Sequence, residues 1–175
     1  IVNNAKLMVS FGGFPTGNSQ ISNGGVSDHI QVDYLRQASS KGISLISIAP
    51  RQSIVDKTEQ IEWIKARPNS DTALILGICH TLLKESLHNI NFLKKFTVGY
   101  EKFFQYLTGQ SDGIIKNAVW AEQLSGVSSY EIRSLARKMA TTPTMISITW
   151  SLTRQENGEQ AYWAVIALAA MLSLI

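Results

Sequence analysis

Two short apolar runs separated by a single helix-length segment do most to restrict the fold. The first, Lys6 to Gly12, is followed by Gly13 and Pro15; the second, Ile43 to Ile48, is stopped by Pro50. Between them lies a stretch from Thr16 to Ser27 rich in Gly, Asn and Ser, read as a loop. A segment that Asp28 can cap then runs to about Ser39, with Ile30, Tyr34 and Leu35 on one side and Gly42 ending it. Strand, helix and strand in this order form a βαβ unit, whose crossover is right-handed and whose strands pair in parallel. The strand ends at Gly12 and Ile48 are therefore expected on the same edge of one sheet. Ligands of open α/β folds bind at that edge, because strand ends and helix N-termini leave backbone groups free there.

The rest of the chain extends this pattern. Ile61 to Ala66 reads as a weaker third strand running into Pro68, and Ser70 starts a helix with Asp71 in its first turn. A carboxylate there is favoured by the helix dipole, so Asp71 needs no further role to be explained. Helical apolar spacing from Leu74 to Leu83 encloses Cys79, which reads as a packing residue. Shorter helices are predicted at about Phe92 to Phe96, Tyr100 to Leu107, Trp120 to Leu124 and Ser128 to Met139, the last opened by the capping-box spacing of Ser128 and Glu131. Residues of about 88–127 form a helical insert in this reading. A last strand, Thr144 to Trp150, leads through polar residues to a helix with no charged side chain from Ala161 onward, expected to be buried on all sides. The whole chain, residues 1–175, reads as a single α/β domain. Opening without Met and stopping at Leu174 and Ile175, it looks excised from a longer polypeptide.

Composition removes several function classes. Apolar residues make up 45% and charged residues 17% of the chain, which suits a globular fold. No apolar run reaches the roughly 18 residues needed for a membrane span. The net charge of +3 is small and its Lys and Arg are scattered, so nucleic acid is not an expected partner. One cysteine and three dispersed histidines, His29, His80 and His88, give no metal site. Ser151 has no His or Asp beside it and no nucleophile-elbow motif around it. No GxGxxG follows the first strand; Phe11, Gly12, Gly13, Phe14, Pro15 is the nearest approach.

Polar chemistry concentrates after the last strand, in Trp150, Ser151, Thr153, Arg154, Gln155, then Gly158, Glu159 and Gln160. Residue types alone leave two readings open, a ligand site or a solvated helix N-terminus.

Motif resemblance separates them. Ile48, Ala49, Pro50, Arg51, Gln52, Ser53, followed by Arg67, Pro68, Asn69, Ser70, Asp71, Thr72, Ala73 and Leu74, resembles the paired cofactor loops of the dimethyl sulfoxide reductase family of molybdopterin enzymes. His80, Thr81, Leu82, then Thr97, Val98, Gly99, Tyr100, and Ser111, Asp112, Gly113, Lys116, Trp120, Ala121 are similar to its trimethylamine N-oxide and biotin sulfoxide reductase branch. The segment Trp150, Ser151, Arg154, Gln155, Gly158, Glu159, Gln160, Trp163, Leu168, Ala169, Ala170 resembles that branch's most specific signature.

The resemblance implies a Rossmann-like three-layer domain, with a mainly parallel sheet and a helical insert, that holds part of a bis(molybdopterin guanine dinucleotide) molybdenum cofactor in an S-oxide or N-oxide reductase. Its partners would be the remaining domains of the same polypeptide and a small oxide substrate, in a periplasmic parent enzyme. The family's protein ligand to molybdenum lies outside this segment, so the isolated chain is expected to carry no cofactor. The cofactor-binding residues it implies are Gly12, Gly13, Ile48, Pro50, Arg51, Ser70, Asp71, Ser151 and Gln155. The substrate-side residues are Trp150, which would exclude water, and Arg154, which would donate to the oxide oxygen. Three positions depart from the family. Ala49 stands where an Asp usually accepts from guanine, Phe11 and Phe14 replace polar or indole side chains in the first loop, and Asn157 replaces a His. The competing reading is a non-catalytic α/β module that binds a nucleotide or a protein partner through the same crevice.

Overall fold

The structure, a computed structural model, describes residues 4–16 and 30–174. Its sheet is built from β1 (Leu7–Phe11), β2 (Ser44–Ala49), β3 (Glu62–Lys65) and β4 (Thr144–Ile148), all parallel, in the order β3-β2-β1-β4. The chain steps outward from β1 to β3, then crosses back to place β4 on the far side of β1. That reversal makes the β1/β4 boundary a topological switch point, where helices diverge to opposite faces and open a crevice at the strand ends. The registers align the ends of β2, β1 and β4: Phe11 lies opposite Ile48 and Ile148, and Ser10 opposite Ser47 and Ser147.

Alternation along β1 divides the core in two. Leu7, Val9 and Phe11 point into the larger cluster, with Ile46 and Ile48 of β2, against α3 (Asp71–Lys84), α7 (Ser129–Thr141) and α8 (Glu159–Met171). Met8 points the other way, to Leu35 and Ala38 of α1 (Gln31–Ser40) and Val55 of α2 (Ile54–Thr58). The result is the expected three-layer α/β sandwich. α3 is buried on almost every side because α5 (Tyr100–Leu107), α6 (Ala118–Ser125), α7 and α8 pack around it, while α4 (Ile90–Phe96) packs on α8. A Cβ on Gly77 would fall 2.6 Å from the Ala121 Cβ, so glycine is what lets α3 and α6 approach so closely. Cys79 is fully buried there, and burial pushes its thiol well above the ordinary range, leaving a packing residue rather than a nucleophile.

Several boundaries differ from those expected. Asp28 lies outside the described residues, and Ile30 occupies the N-cap position of α1 with no side-chain cap bond. Ile30 and Tyr34 are exposed rather than packed with Leu35, because α1 buries only the stripe facing β1 and β2. α4 and α6 start earlier than apolar spacing indicates, since the Asn89 and Asn117 side chains accept from the Phe92 and Trp120 amides and cap them. β4 ends at Ile148, before Trp150. α8 is not covered on all sides: Trp163 is 66% exposed and Ile166 53%, and they border an apolar cleft of about 290 Å³ against α4 and α5.

Candidate functional site

The first loop is fixed by backbone, and its glycines are required. The chain leaves β1 through Gly12 at φ +87° and Gly13 at φ +77°, a left-handed region that costs other L-residues roughly 1–2 kcal/mol each. The Gly12 amide donates to the Ile48 carbonyl (2.9 Å), the Thr149 amide to the Phe11 carbonyl (2.9 Å), and the Ser10 hydroxyl to the Gly13 carbonyl (2.6 Å). These bonds lace together the ends of β1, β2 and β4. A Cβ on Gly12 would overlap Thr149 Oγ1, and one on Gly13 would come within 3.1 Å of Ser47 Oγ. Ser47 is fully buried, and its hydroxyl has no hydrogen-bond partner among the described residues.

Two cavities flank Phe14 and Pro15. One, of about 580 Å³, lies over the β1/β4 boundary, with Ser10, Ser147, Gly13, Thr149, Trp150 and Tyr34 in its wall. The other, of about 930 Å³, opens beyond the end of β2 and is bordered by Arg51, Gln52, Ser53, Thr58 and Arg36. Ser53 also opens α2 through a capping box with Asp56.

The segment after β4 is a compact clamp. Trp150–Thr153 is a 3₁₀ turn in which the Thr153 hydroxyl donates to the Trp150 carbonyl (2.8 Å) and the Thr149 and Ser151 hydroxyls lie 2.9 Å apart. The Gly158 amide donates to the Gln155 carbonyl (3.0 Å), and a Cβ there would sit 2.7 Å from the Thr153 Cα, so only glycine lets α8 start against this turn. Asn157 adopts φ +55°, which Asn tolerates better than most side chains. Trp150, Ser151 and Arg154 are exposed; of the three only Trp150 lines the crevice, and Arg154 has no ion-pair partner among the described residues.

Gly12, Gly13, Trp150 and Ser151 thus meet around one boundary, and Arg51 lines the neighbouring cavity. Ile48 is fully buried with its carbonyl already engaged by Gly12, while Pro50 is exposed. Ser70 and Asp71 are buried at the start of α3 and line neither cavity. The Ser70 hydroxyl donates to the Arg67 carbonyl (2.6 Å) instead of capping.

Burial raises the Asp71 carboxyl from its ordinary 3.8 to about 6, partly opposed by a backbone hydrogen bond. A carboxyl raised on folding stabilises the fold when protonated. That contribution is complete below about pH 3.8 and is lost as pH rises through about 6. Asp71→Asn is therefore expected to gain about 2–3 kcal/mol over wild type at pH 8 and little at pH 4, read from urea midpoints at the two pH values. Equal gains at both pH values would contradict the burial effect.

Other site residues emerge only in three dimensions. Ser10, Ser47 and Ser147 form a hydroxyl row across three strands; the repeated triplets Val9-Ser10-Phe11, Ile46-Ser47-Ile48 and Ile146-Ser147-Ile148 were its sequence signal. Thr149 joins two loops, and the Trp63 indole donates to the Ala49 carbonyl (3.0 Å) at the end of β2.

The model of the Molybdopterin oxidoreductase family matches residues 2–175. The chain belongs to that family. This molybdopterin oxidoreductase chain is 34% identical to the biotin sulfoxide reductase of Cereibacter sphaeroides over 175 residues, covering 100% of itself and 24% of that protein. It is 36% identical to the dimethyl sulfoxide/trimethylamine N-oxide reductase of the same organism, over 100% of itself and 21% of that relative. It is 38% identical to the trimethylamine-N-oxide reductase of Salmonella typhi over 185 aligned residues, with the same 100% and 21% coverage. The chain therefore spans between a fifth and a quarter of the length of these relatives. Among solved structures, acetylene hydratase from Pelobacter acetylenicus shares the fold, with a TM-score of 0.79 and 23% identity over 100% of this chain and 22% of that one.

Proposed function

We propose that this chain is part of a molybdenum-dependent reductase of S-oxides or N-oxides and that it holds a molybdopterin guanine dinucleotide. The observation that carries the reading is the meeting of the Gly12–Gly13 turn with Thr149 and Trp150 at one switch-point crevice, in a chain whose relatives are named for S-oxides and N-oxides.

The residues fit such a group. The Gly12 and Gly13 amides are engaged by the Ile48 and Ser10 carbonyls, so these glycines would shape the crevice wall against Thr149 and Ser47 rather than donate to a pyrophosphate. Arg51 borders the neighbouring cavity, large enough for a nucleoside, where its guanidinium would face phosphate oxygens; Arg36, also at its border, is paired with Glu59 and Asp33. Ala49 lacks the carboxylate the family uses for guanine, so base contacts there would fall to Gln52, Ser53 and backbone carbonyls. Asp71 and Ser70 lie outside both cavities and would act on that site by supporting the start of α3. The guanidinium of Arg154, with no ion-pair partner among the described residues, would donate to the oxygen of an S=O or N–O group. Trp150, 77% exposed at the rim, would cover that oxygen and exclude water. Such a cofactor, when bound, would supply the electron pair for the reduction.

The apolar cleft bounded by Trp163 and Ile166 is the face that would pack against the remaining domains of the same polypeptide. A periplasmic parent enzyme is part of the same proposal and rests on the resemblance alone, members of that branch often being periplasmic. Acid release of metal and nucleotide from the full-length protein tests the reading. Molybdenum together with guanine nucleotide is expected, and their absence from a folded, full-length protein would overturn it.

A further inference from the structure

Trp150 is 77% exposed, so no core contact fixes the direction in which it leaves the end of β4. What fixes it is the backbone at Thr149, and five interactions converge on that residue. Its amide donates to the Phe11 carbonyl of β1 (2.9 Å), its Oγ1 meets the Ser151 hydroxyl (2.9 Å), and its side chain fills the space that the missing Cβ of Gly12 leaves. Its carbonyl accepts two donors, the Leu152 amide (3.2 Å) and the phenol of Tyr162 (3.0 Å), thirteen residues away on α8.

The Tyr162 ring packs against the larger core, so the hydroxyl is delivered from a rigid base. It is the long-range side-chain bond that ties α8 to the junction, while Gly158 holds the start of α8 against the 3₁₀ turn. Burial raises the phenol above its ordinary range, which keeps the proton it donates.

We infer that Tyr162 is a positioning residue whose hydroxyl, through the Thr149 carbonyl, sets the aim of Trp150 over the crevice. For catalysis this rests on the reductase reading above; for geometry it does not. Removing the hydroxyl leaves the Thr149 carbonyl with the Leu152 amide alone and lets the 3₁₀ turn rotate. A displacement of that kind at a substrate-side group is expected to lower turnover about tenfold without removing any group that touches substrate.

The test is Tyr162→Phe in the full-length protein, which keeps the ring in the core. The emission of Trp150 is isolated by subtracting spectra of Trp150→Phe from wild type, and of the Trp150→Phe, Tyr162→Phe double variant from the single. A shift in the Trp150 emission and its iodide quenching is expected, with turnover of a sulfoxide or N-oxide per bound molybdenum about tenfold lower and molybdenum content unchanged. A purely structural role would instead lower molybdenum content and thermal midpoint together and leave turnover per molybdenum intact, which would overturn the inference. Unchanged Trp150 emission would also overturn it. If the full-length protein holds no molybdenum, the reductase reading fails, and the emission comparison still decides whether Tyr162 aims Trp150.

Discussion

Replacing Gly12 with alanine is expected to cost about 3 kcal/mol of stability, far more than the same change at Gly113. Both glycines adopt a positive φ, +87° and +76°, so both substitutions carry the left-handed penalty of roughly 1–2 kcal/mol. They differ in surroundings. Gly113 faces open space, whereas the new methyl at position 12 would overlap Thr149 Oγ1 and crowd its Cβ. Thr149 cannot retreat freely, because its amide is bonded to the Phe11 carbonyl and its carbonyl to Tyr162. Overpacking against a pinned neighbour adds about 1–3 kcal/mol, giving the total above. Urea midpoints of wild type, Gly12→Ala and Gly113→Ala measure the difference. Equal losses in the two variants would mean that backbone conformation alone sets the cost and that the β1 and β4 exits are not locked together.

The same junction explains which parts of the site were legible in the sequence. Lys6 to Gly12 and Ile43 to Ile48 announced their strands because apolar runs closed by Gly or Pro have few other solutions, and the parallel pairing followed from crossover handedness. Tyr100 to Leu107 was exact in its bounds and Ser128 with Glu131 gave its helix start, since both depend on local spacing and capping. Asn89 and Asn117 are not legible as caps from apolar spacing, because the apolar pattern begins only after them. The exposure of Trp163 and Ile166 was illegible for a different reason: an apolar helix shows that it needs cover, not which element supplies it. The clustering of Gly12 with Trp150, and the separation of both from Asp71, depend on strand order. No local pattern encodes whether β4 returns beside β1 or beside β3.

Arg154→Ala in the full-length protein is expected to lower turnover by about 10²–10³-fold while leaving cofactor content and folding stability nearly unchanged. The stability half follows from the structure. Arg154 is exposed and has no ion-pair partner among the described residues, so its truncation should change stability by no more than about 0.5 kcal/mol. The activity half follows from the role proposed for it. Negative charge grows on the oxide oxygen as its bond to sulfur or nitrogen weakens, and a positioned cationic donor stabilises that charge more in the transition state than in the bound substrate; losing one such donor typically costs about 10²–10³-fold. Arg154→Lys restores charge without the planar fork and should recover only part of the rate. Turnover per bound molybdenum, measured with a reduced dye as electron source, separates the alternatives. A loss confined to KM would place Arg154 in substrate capture alone, and an unchanged rate in Arg154→Ala would remove it from the chemistry and leave Trp150 as the remaining substrate-side group of this chain.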